Sequence, residues 1–375
     1  MEILHVNSYY SVGKFYKNLY EAQIENGLDI SVYVPVCKSF LDNKFEFGSY
    51  TAISRVYSNY ERLIFHLKHS KIYKDLLQRY NIASFSLVHA HSLFSNGYIA
   101  LKLKRYFNIP YVVAVRNTDV NIFFKYVMHM RKTGIDILNE AYRVVFLSKS
   151  YRDQVIKTYV PTRLRSGVLN KSVIIPNGID QFWLDNLSTP KKLNSQKKIK
   201  VLYVGAINKN KNITTTIEAL DKLISEGYNV EFTVVGKVED KEVFKSVKSS
   251  EFTKYIDYKP KENLLGIYSE NDIFVMPSIT ETFGLVYAEA MSQGLPVIYS
   301  SNQGFDGHFQ DGMVGYGVDC FDSYDIANKI KDTIKNYNDL SANCITGAQN
   351  FRWKYINERY MDIYREIDRE NGTCR

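Results

Sequence analysis

Two glutamates eight residues apart, Glu281 and Glu289, carry the clearest chemistry in this sequence. They lie in NDIFVMPSITETFGLVYAEAMSQGLPVI, Asn271 to Ile298. An apolar strand over Asp272–Met276 is expected to end at Pro277 and Ser278. A polar loop follows, then a helix whose small residues (Gly284, Ala288, Ala290, Ser292, Gly294) suit close packing on a sheet, then a second strand from Pro296. Free backbone N–H groups at a helix start attract anions, so Phe283, Gly284 and Leu285 are candidates to hold a phosphate. The loop therefore offers phosphate donors beside two carboxylates that accept from hydroxyls, a combination suited to a phosphorylated sugar or nucleotide. An ordinary strand–helix–strand unit with a solvated glutamate is the plainer account of the same residues.

Three kinds of chemistry compete for these groups. Dinucleotide redox chemistry needs a G-x-G-x-x-G turn after a strand, and none of VNSYYSVGK, VGAINKNK or VVGKVEDK supplies one. Glycoside hydrolysis needs two carboxylates flanking the scissile bond, and amides that bind phosphate add little to cleaving a neutral glycoside. Sugar transfer from a nucleotide sugar expels a pyrophosphate. Its main requirement is stabilisation of that departing charge by amides, a Lys or an Arg.

The elements that must position these groups read as two α/β halves. At 375 residues the chain exceeds the usual single core, and 45% hydrophobic with 23% charged residues is a globular composition. Strands are expected at 3–6, 29–34, 86–90, 111–115, 143–147 and 173–175, with helices near 15–26, 61–80 and 97–107; Ser148 suits the cap of a following helix. Asn186 to Lys198, NLSTPKKLNSQKK, is polar and without periodicity, as a linker is. Strands then recur at 200–204, 230–235, 255–256 and 272–276, with a helix at 214–226 and a final helical pattern over 351–367. Apolar strands separated by helices indicate parallel sheets covered on both faces. Ligands of such sheets sit beyond the carboxyl ends of the strands, so the loops after Val6, Ala90, Val115, Val204 and Met276 are expected to line a cleft. The four cysteines are scattered, no apolar run is long enough to span a bilayer, and the N-terminus reads as a strand; a reduced cytoplasmic compartment fits.

These residues together resemble a known family. PSITETFGLVYAEAMSQGLPVI resembles the Glu-x7-Glu signature of retaining, GT-B-fold, family-4 glycosyltransferases (glycosyl transferases group 1). VGAINKNKNI resembles that family's loop after the first strand of the C-terminal domain, VIIPNGID the segment before its interdomain linker, and VVFLSKS its last N-terminal strand–helix junction. The resemblance covers nearly the whole chain. It implies two Rossmann-like domains with parallel sheets facing a central cleft. The acceptor domain would be 1–185, the linker 186–198 and the nucleotide-sugar domain 199–351, with a C-terminal helix, 352–375, crossing back to the first domain.

Carried over residue by residue, the resemblance places Glu281 at the donor sugar's hydroxyls, Glu289 at the ribose hydroxyls, Lys211 at the phosphates and Gly13 in the loop that approaches the diphosphate. The family commonly has an Arg where this chain has Ala206; either Lys209 or a residue of the first domain compensates, or phosphate affinity is weaker. It often shows His-Gly-x-Asp where this chain reads Arg116-Asn117-Thr118-Asp119. Arg116 is therefore expected to supply catalytic charge to the pyrophosphate or to an anionic acceptor, with Asp119 and His91 as acceptor-site candidates. The loop from Tyr255 to Pro260 often frames the base, and here Asp257 replaces the usual Gly. The resemblance implies retention of configuration by front-side attack, no cofactor and no obligatory metal. The donor would be a UDP-sugar, with a GDP-sugar the other choice. The acceptor would be a saccharide or lipid-linked saccharide of a bacterial surface polysaccharide or glycolipid. A silent GT-B paralogue serving as a binding or scaffold subunit, and a nucleotide-sugar epimerase, are the alternatives.

Charge is unevenly placed. Residues 51–171 hold 20 Lys and Arg against 6 Asp and Glu, while the whole chain is +8. Two stretches there, Arg55–Tyr80 and Asn121–Lys132, interleave cations with apolar residues. Basic amphipathic stretches dock on anionic lipid headgroups, so a peripheral membrane association is expected. No nucleic-acid motif accompanies the charge, and no nucleic-acid partner is expected.

Overall fold

The computed structural model describes residues 1–41, 45–194 and 198–373, with side chains described to residue 370. Three residues of the expected linker, 195–197, and 374–375 at the end of the expected C-terminal helix (Cys374 included) lie outside the described residues.

The chain divides into two compact units. The first comprises Met1–Leu147, Arg152–Ile175 and the segment from Trp353 onward. Its sheet has seven parallel strands in the order β3-β2-β1-β4-β5-β6-β7: β1 (Glu2–Val6), β2 (Asp29–Cys37), β3 (Thr51–Tyr57), β4 (Leu87–Ala90), β5 (Tyr111–Ala114), β6 (Arg143–Phe146) and β7 (Ser172–Ile174). The central strands are continuous apolar runs because helices cover both faces; every residue of β4 and β5 is buried. Helix α1 (Phe15–Glu25) lays Leu19 and Tyr20 on the sheet, and Gly27, at φ +81°, turns the chain out of it. Helices α2 (Phe65–Arg79) and α3 (Ser95–Phe107) follow. The C-terminal helix, Trp353–Thr373, returns to this unit and buries Ile356, Tyr360, Tyr364 and Ile367 in the same core as α1.

The second unit comprises Ser148–Tyr151 and Pro176–Arg352. Its six parallel strands run in the order β10-β9-β8-β11-β12-β13: β8 (Ile199–Val204), β9 (Val230–Val235), β10 (Thr253–Ile256), β11 (Ile273–Met276), β12 (Val297–Ser300) and β13 (Gly315–Val318). Both sheets thus reverse strand order beside their first strand, between β1 and β4 and between β8 and β11. That is where α/β sheets open a crevice for ligands.

The structure differs from the sequence reading in several places. The second unit takes up the chain at Pro176 rather than after the expected boundary at 185. The short Gln181–Asp185 helix packs there, with Trp183 edge-on to Tyr268 at 5.3 Å between ring centroids and Asp180 paired with Lys261 at 2.6 Å. Strand β3 was not expected, and Arg55–Tyr57 belong to it; at one edge of the sheet it is mostly half-buried and carries no apolar run. Strand β13 was missed because it is short and glycine-rich. A Cβ at Gly315 would lie 1.8 Å from the Val297 carbonyl oxygen, so glycine is what lets this strand approach β12. Residues 121–132 form no single helix: they pass through a π turn and a 3-10 turn, and Arg131 and Lys132 begin a further helix. Ser148 does cap its helix, its Oγ accepting from the Tyr151 N–H at 3.2 Å.

Candidate active site

At the reversal point of the second sheet, the loops after β8 and β11 are stitched together by asparagines. Asn210 receives the Thr280 N–H (3.1 Å) and hydroxyl (2.6 Å) on its Oδ1, donates from Nδ2 to the Thr280 carbonyl (2.9 Å), and its own carbonyl receives the Ile279 N–H (2.8 Å). Asn208 caps the turn that carries Lys211, accepting the Lys211 N–H at 3.2 Å. Asn212, at φ +56°, donates to the Pro277 carbonyl at 3.2 Å and to the Cys320 carbonyl. Asn tolerates the left-handed turn that most residues avoid, so the alternation Asn208, Asn210, Asn212 has a structural purpose. The sequence reading passed over it.

This stitching sets Lys211 Nζ 2.6 Å from Glu281 Oε2, both side chains largely buried. Glu281 is held from behind. Its Oε1 accepts the Thr282 N–H at 3.0 Å, its own N–H donates to Gln303 Oε1 at 3.0 Å, and its carbonyl accepts the Gly304 N–H at 2.8 Å. The helix Leu285–Ser292 starts four residues later, with Gly284 at φ +73° over the Tyr287 ring. Among the described residues, none accepts a hydrogen bond from the N–H of Phe283, Gly284 or Leu285. Gly294, at φ +73°, lies just past the helix end rather than inside it.

Glu289 faces Tyr268 (3.5 Å from hydroxyl to Oε2) with Trp183 beyond it. Burial pushes its carboxyl up to about 7, and the Tyr268 hydroxyl offsets this only in part. The second unit therefore brings Glu281 and Lys211 together close to the three amide donors, and sets Glu289 on the helix that follows, against Tyr268. Lys209 does not join them: it reaches Glu242 at 3.1 Å and Asp240 at 3.9 Å, so the compensation for Ala206 expected from it is not made in this structure. Asp257 is absorbed locally, accepting the Tyr258 N–H at 2.7 Å and the Tyr255 hydroxyl at 3.2 Å.

The remaining candidates lie in the first unit, at its own reversal point. His5 and His89 are register partners on β1 and β4, and His91 follows β4. All three side chains are fully buried. His5 Nδ1 and His91 Nε2 share a hydrogen bond at 3.0 Å, and His89 Nδ1 shares one with the Tyr364 hydroxyl of the C-terminal helix at 2.6 Å. Burial lowers all three imidazoles, His5 to about 3, so the cluster is neutral. One nitrogen of each ring lies within 4.8 Å of the others, the one group among the described residues placed to share a metal ion. Each of the three rings already engages one nitrogen in a hydrogen bond, and the Arg116 charge beside them disfavours a cation. Sequence inspection shows the His-x-His pair but not His5, which only strand register brings in.

Arg116 sits against this cluster, donating from Nε to the His91 carbonyl at 3.3 Å, its guanidinium 5.8 Å from the Tyr16 ring centre. Asp119 is buried, and its carboxylate accepts three backbone N–H groups: Leu93 (2.9 Å), Phe94 (3.1 Å) and Arg116 (2.8 Å). It clips the loops after β4 and β5 together, and burial still pushes it up to about 6. His91 and Asp119, expected at the acceptor, are both buried in this structure and make these internal contacts. Gly13 lies in a loop where an added Cβ would meet nothing within 4 Å, so packing within the chain does not demand glycine there.

Comparison with known proteins covers both units of the chain. The model for glycosyl transferases group 1 matches residues 186–351, and the model for glycosyltransferase family 4 matches residues 12–181. The chain belongs to the family-4-like GT-B glycosyltransferases. This glycosyltransferase is 26% identical over 262 residues to the alpha-monoglucosyldiacylglycerol synthase of Acholeplasma laidlawii, covering 64% of the chain and 65% of that protein. It is 28% identical over 204 residues to the capsular polysaccharide biosynthesis glycosyltransferase CapM of Staphylococcus aureus, covering 52% of each. The chain thus spans between half and two thirds of the length of these relatives. In fold it resembles Anabaena HepE, solved in complex with UDP-glucose, with a TM-score of 0.67 at 15% identity, covering 98% of this chain and 100% of that one. No helix among the described residues of the glycosyltransferase is long and apolar enough to cross a membrane.

Proposed function

We propose that this glycosyltransferase moves a sugar from a nucleotide sugar, a UDP-sugar in the first instance, to a saccharide or lipid-linked saccharide, with retention of configuration and without an obligatory metal. The acceptor would belong to a bacterial surface polysaccharide or glycolipid, at the inner face of an anionic membrane. The observation that carries this reading is the Lys211–Glu281 pair beside three unpartnered helix-start amides. In the absence of donor, Lys211 and Glu281 neutralise each other. With donor bound, Lys211 and the amides of Phe283, Gly284 and Leu285 take the pyrophosphate, which frees Glu281 for the sugar's hydroxyls, while Glu289 takes those of the ribose. Preorganised cation and amides stabilise charge as it develops on the leaving phosphate, and that phosphate draws the proton from the attacking hydroxyl. Arg116 adds positive charge from the first unit, with the histidine cluster and Asp119 fixing its place.

The test is release of nucleoside diphosphate from a panel of UDP-, GDP- and ADP-sugars. One donor should support turnover, slowly to water and faster with acceptor. Lys211→Ala should lower kcat/KM by roughly 10–100-fold, the worth of a charge-assisted hydrogen bond, and Glu281→Ala should abolish acceptor-dependent release. Unchanged turnover in both variants would dismiss the assignment, and conversion of donor to a new nucleotide sugar would indicate the epimerase instead.

A further inference from the structure

The two cationic stretches of the first unit merge into one surface in the structure. The second half of α2 is ordinary core: Ile72, Tyr73 and Leu76 are buried. Its beginning is not. Leu63 is 90% exposed, and Ile64 and Leu67 stand in solvent beside it. The turns after β5 present Ile122, Tyr126 and Met128 in the same way, Met128 at 66%. Phe65 and Phe123 join the two segments, their ring centres 6.0 Å apart, and Phe123 stacks on Phe94 at 4.6 Å. The two segments that bear these six exposed apolar side chains therefore meet through one aromatic contact. Single exposed apolar residues need no explanation, but a contiguous set marks an interaction site.

The charges around them have one sign. Residues 121–132 contain Lys125, Arg131 and Lys132 and no acidic residue. On the α2 side, Glu61 is buried and paired with Lys71, which leaves Arg62 exposed next to Leu63. A nucleic acid would use the cations but not the exposed Leu, Ile and Met; an anionic bilayer uses both, apolar tips entering the acyl boundary while cations meet headgroups.

We propose that Leu63, Ile64, Leu67, Ile122, Tyr126 and Met128, ringed by Arg62, Lys125 and Lys132, form the surface by which this chain docks on an anionic lipid bilayer. The surface stands on its own geometry and rests on the transferase reading only for its consequence, access to an acceptor held in that bilayer. Cosedimentation of the full chain with phosphatidylglycerol vesicles and with phosphatidylcholine vesicles tests it. Binding should be confined to the anionic vesicles and weaken with salt. The pairs Leu63→Asp with Met128→Asp, and Lys125→Glu with Lys132→Glu, should each reduce it roughly tenfold or more, since each basic residue near the surface contributes about 1 kcal/mol. All four side chains are exposed, so circular dichroism should be unchanged, and donor hydrolysis, which reads the transferase assignment separately, should persist. Vesicle binding that survives both pairs would overturn the proposal. So would absence of vesicle binding together with retention of an RNA or DNA oligonucleotide.

Discussion

The carboxylate proposed for the ribose hydroxyls is held in this chain with its ionisation near neutral pH. Glu289 is raised from the ordinary 4.5 to about 7 by burial against Tyr268 and Trp183. The consequence for stability has a definite sign. Below the unfolded value both states hold the proton. Between about 4.5 and 7 the unfolded chain releases it while the folded chain keeps it, so stability falls as pH rises, and above 7 the whole cost, up to about 3 kcal/mol, is present. Glu289→Gln should therefore match the parent in acid and be the more stable protein above neutrality, read from urea midpoints across the range. Donor binding should run the other way. A hydroxyl donates best to the ionised carboxylate, so affinity for UDP should rise from about pH 6 to about pH 8 and then level off, and the Gln variant should lose that rise. A flat titration of affinity in the parent would remove Glu289 from the ribose.

At the scale of elements, the loops after β8, β11 and β12 act as one part, and glycines set how closely they meet. A Cβ on Gly304 would lie 1.9 Å from the Thr282 carbonyl oxygen, one residue from Glu281. Gly304→Ala must push that strand of loop away and break the Gly304 N–H bond to the Glu281 carbonyl. A cost of about 1–3 kcal/mol in stability is expected from such overpacking, together with a donor KM raised roughly tenfold or more. Gly13→Ala separates packing from ligand approach. Its Cβ would meet nothing, so thermal stability should not change, and any loss of turnover measures the room the diphosphate needs at that loop. The parts of the fold that were legible follow the same division. Buried central strands such as β1, β4 and β11 announce themselves as apolar runs because both their faces are covered. The edge strand β3 and the glycine-bearing β13 carry no such run, since one lies mostly half-buried at the sheet's edge and the other depends on a backbone contact. Glu281, Glu289 and Lys211 were legible through their motif. The asparagines that bring β8's loop to β11's were not, because their partners lie 70 residues away. His5 was missed for the same reason, a contact of strand register with His91, 86 residues on.

At the scale of the whole molecule, the first unit is built from both ends of the chain. Seven side chains of the C-terminal helix, Trp353, Ile356, Tyr360, Met361, Ile363, Tyr364 and Ile367, are buried in the core that holds β1, β2 and α1. At about 1.5–3 kcal/mol for each buried side chain, their gross contribution exceeds roughly 10 kcal/mol, against a net stability of about 5–15 kcal/mol for a domain. The helix also caps the histidine cluster through Tyr364, which bonds His89 and receives Gln23 Nε2 at 3.2 Å. Removing it leaves apolar surface and buried imidazoles open at once. A chain ending at Arg352 should therefore lose slow amide exchange throughout β1–β7, while β8–β13, whose core draws nothing from that helix, keep theirs. UDP should still raise the melting temperature of the surviving unit, since a ligand bound only to the native state stabilises it. Native protection of β1–β7 in the shortened chain would show that the helix is an accessory to the first unit and not part of its core.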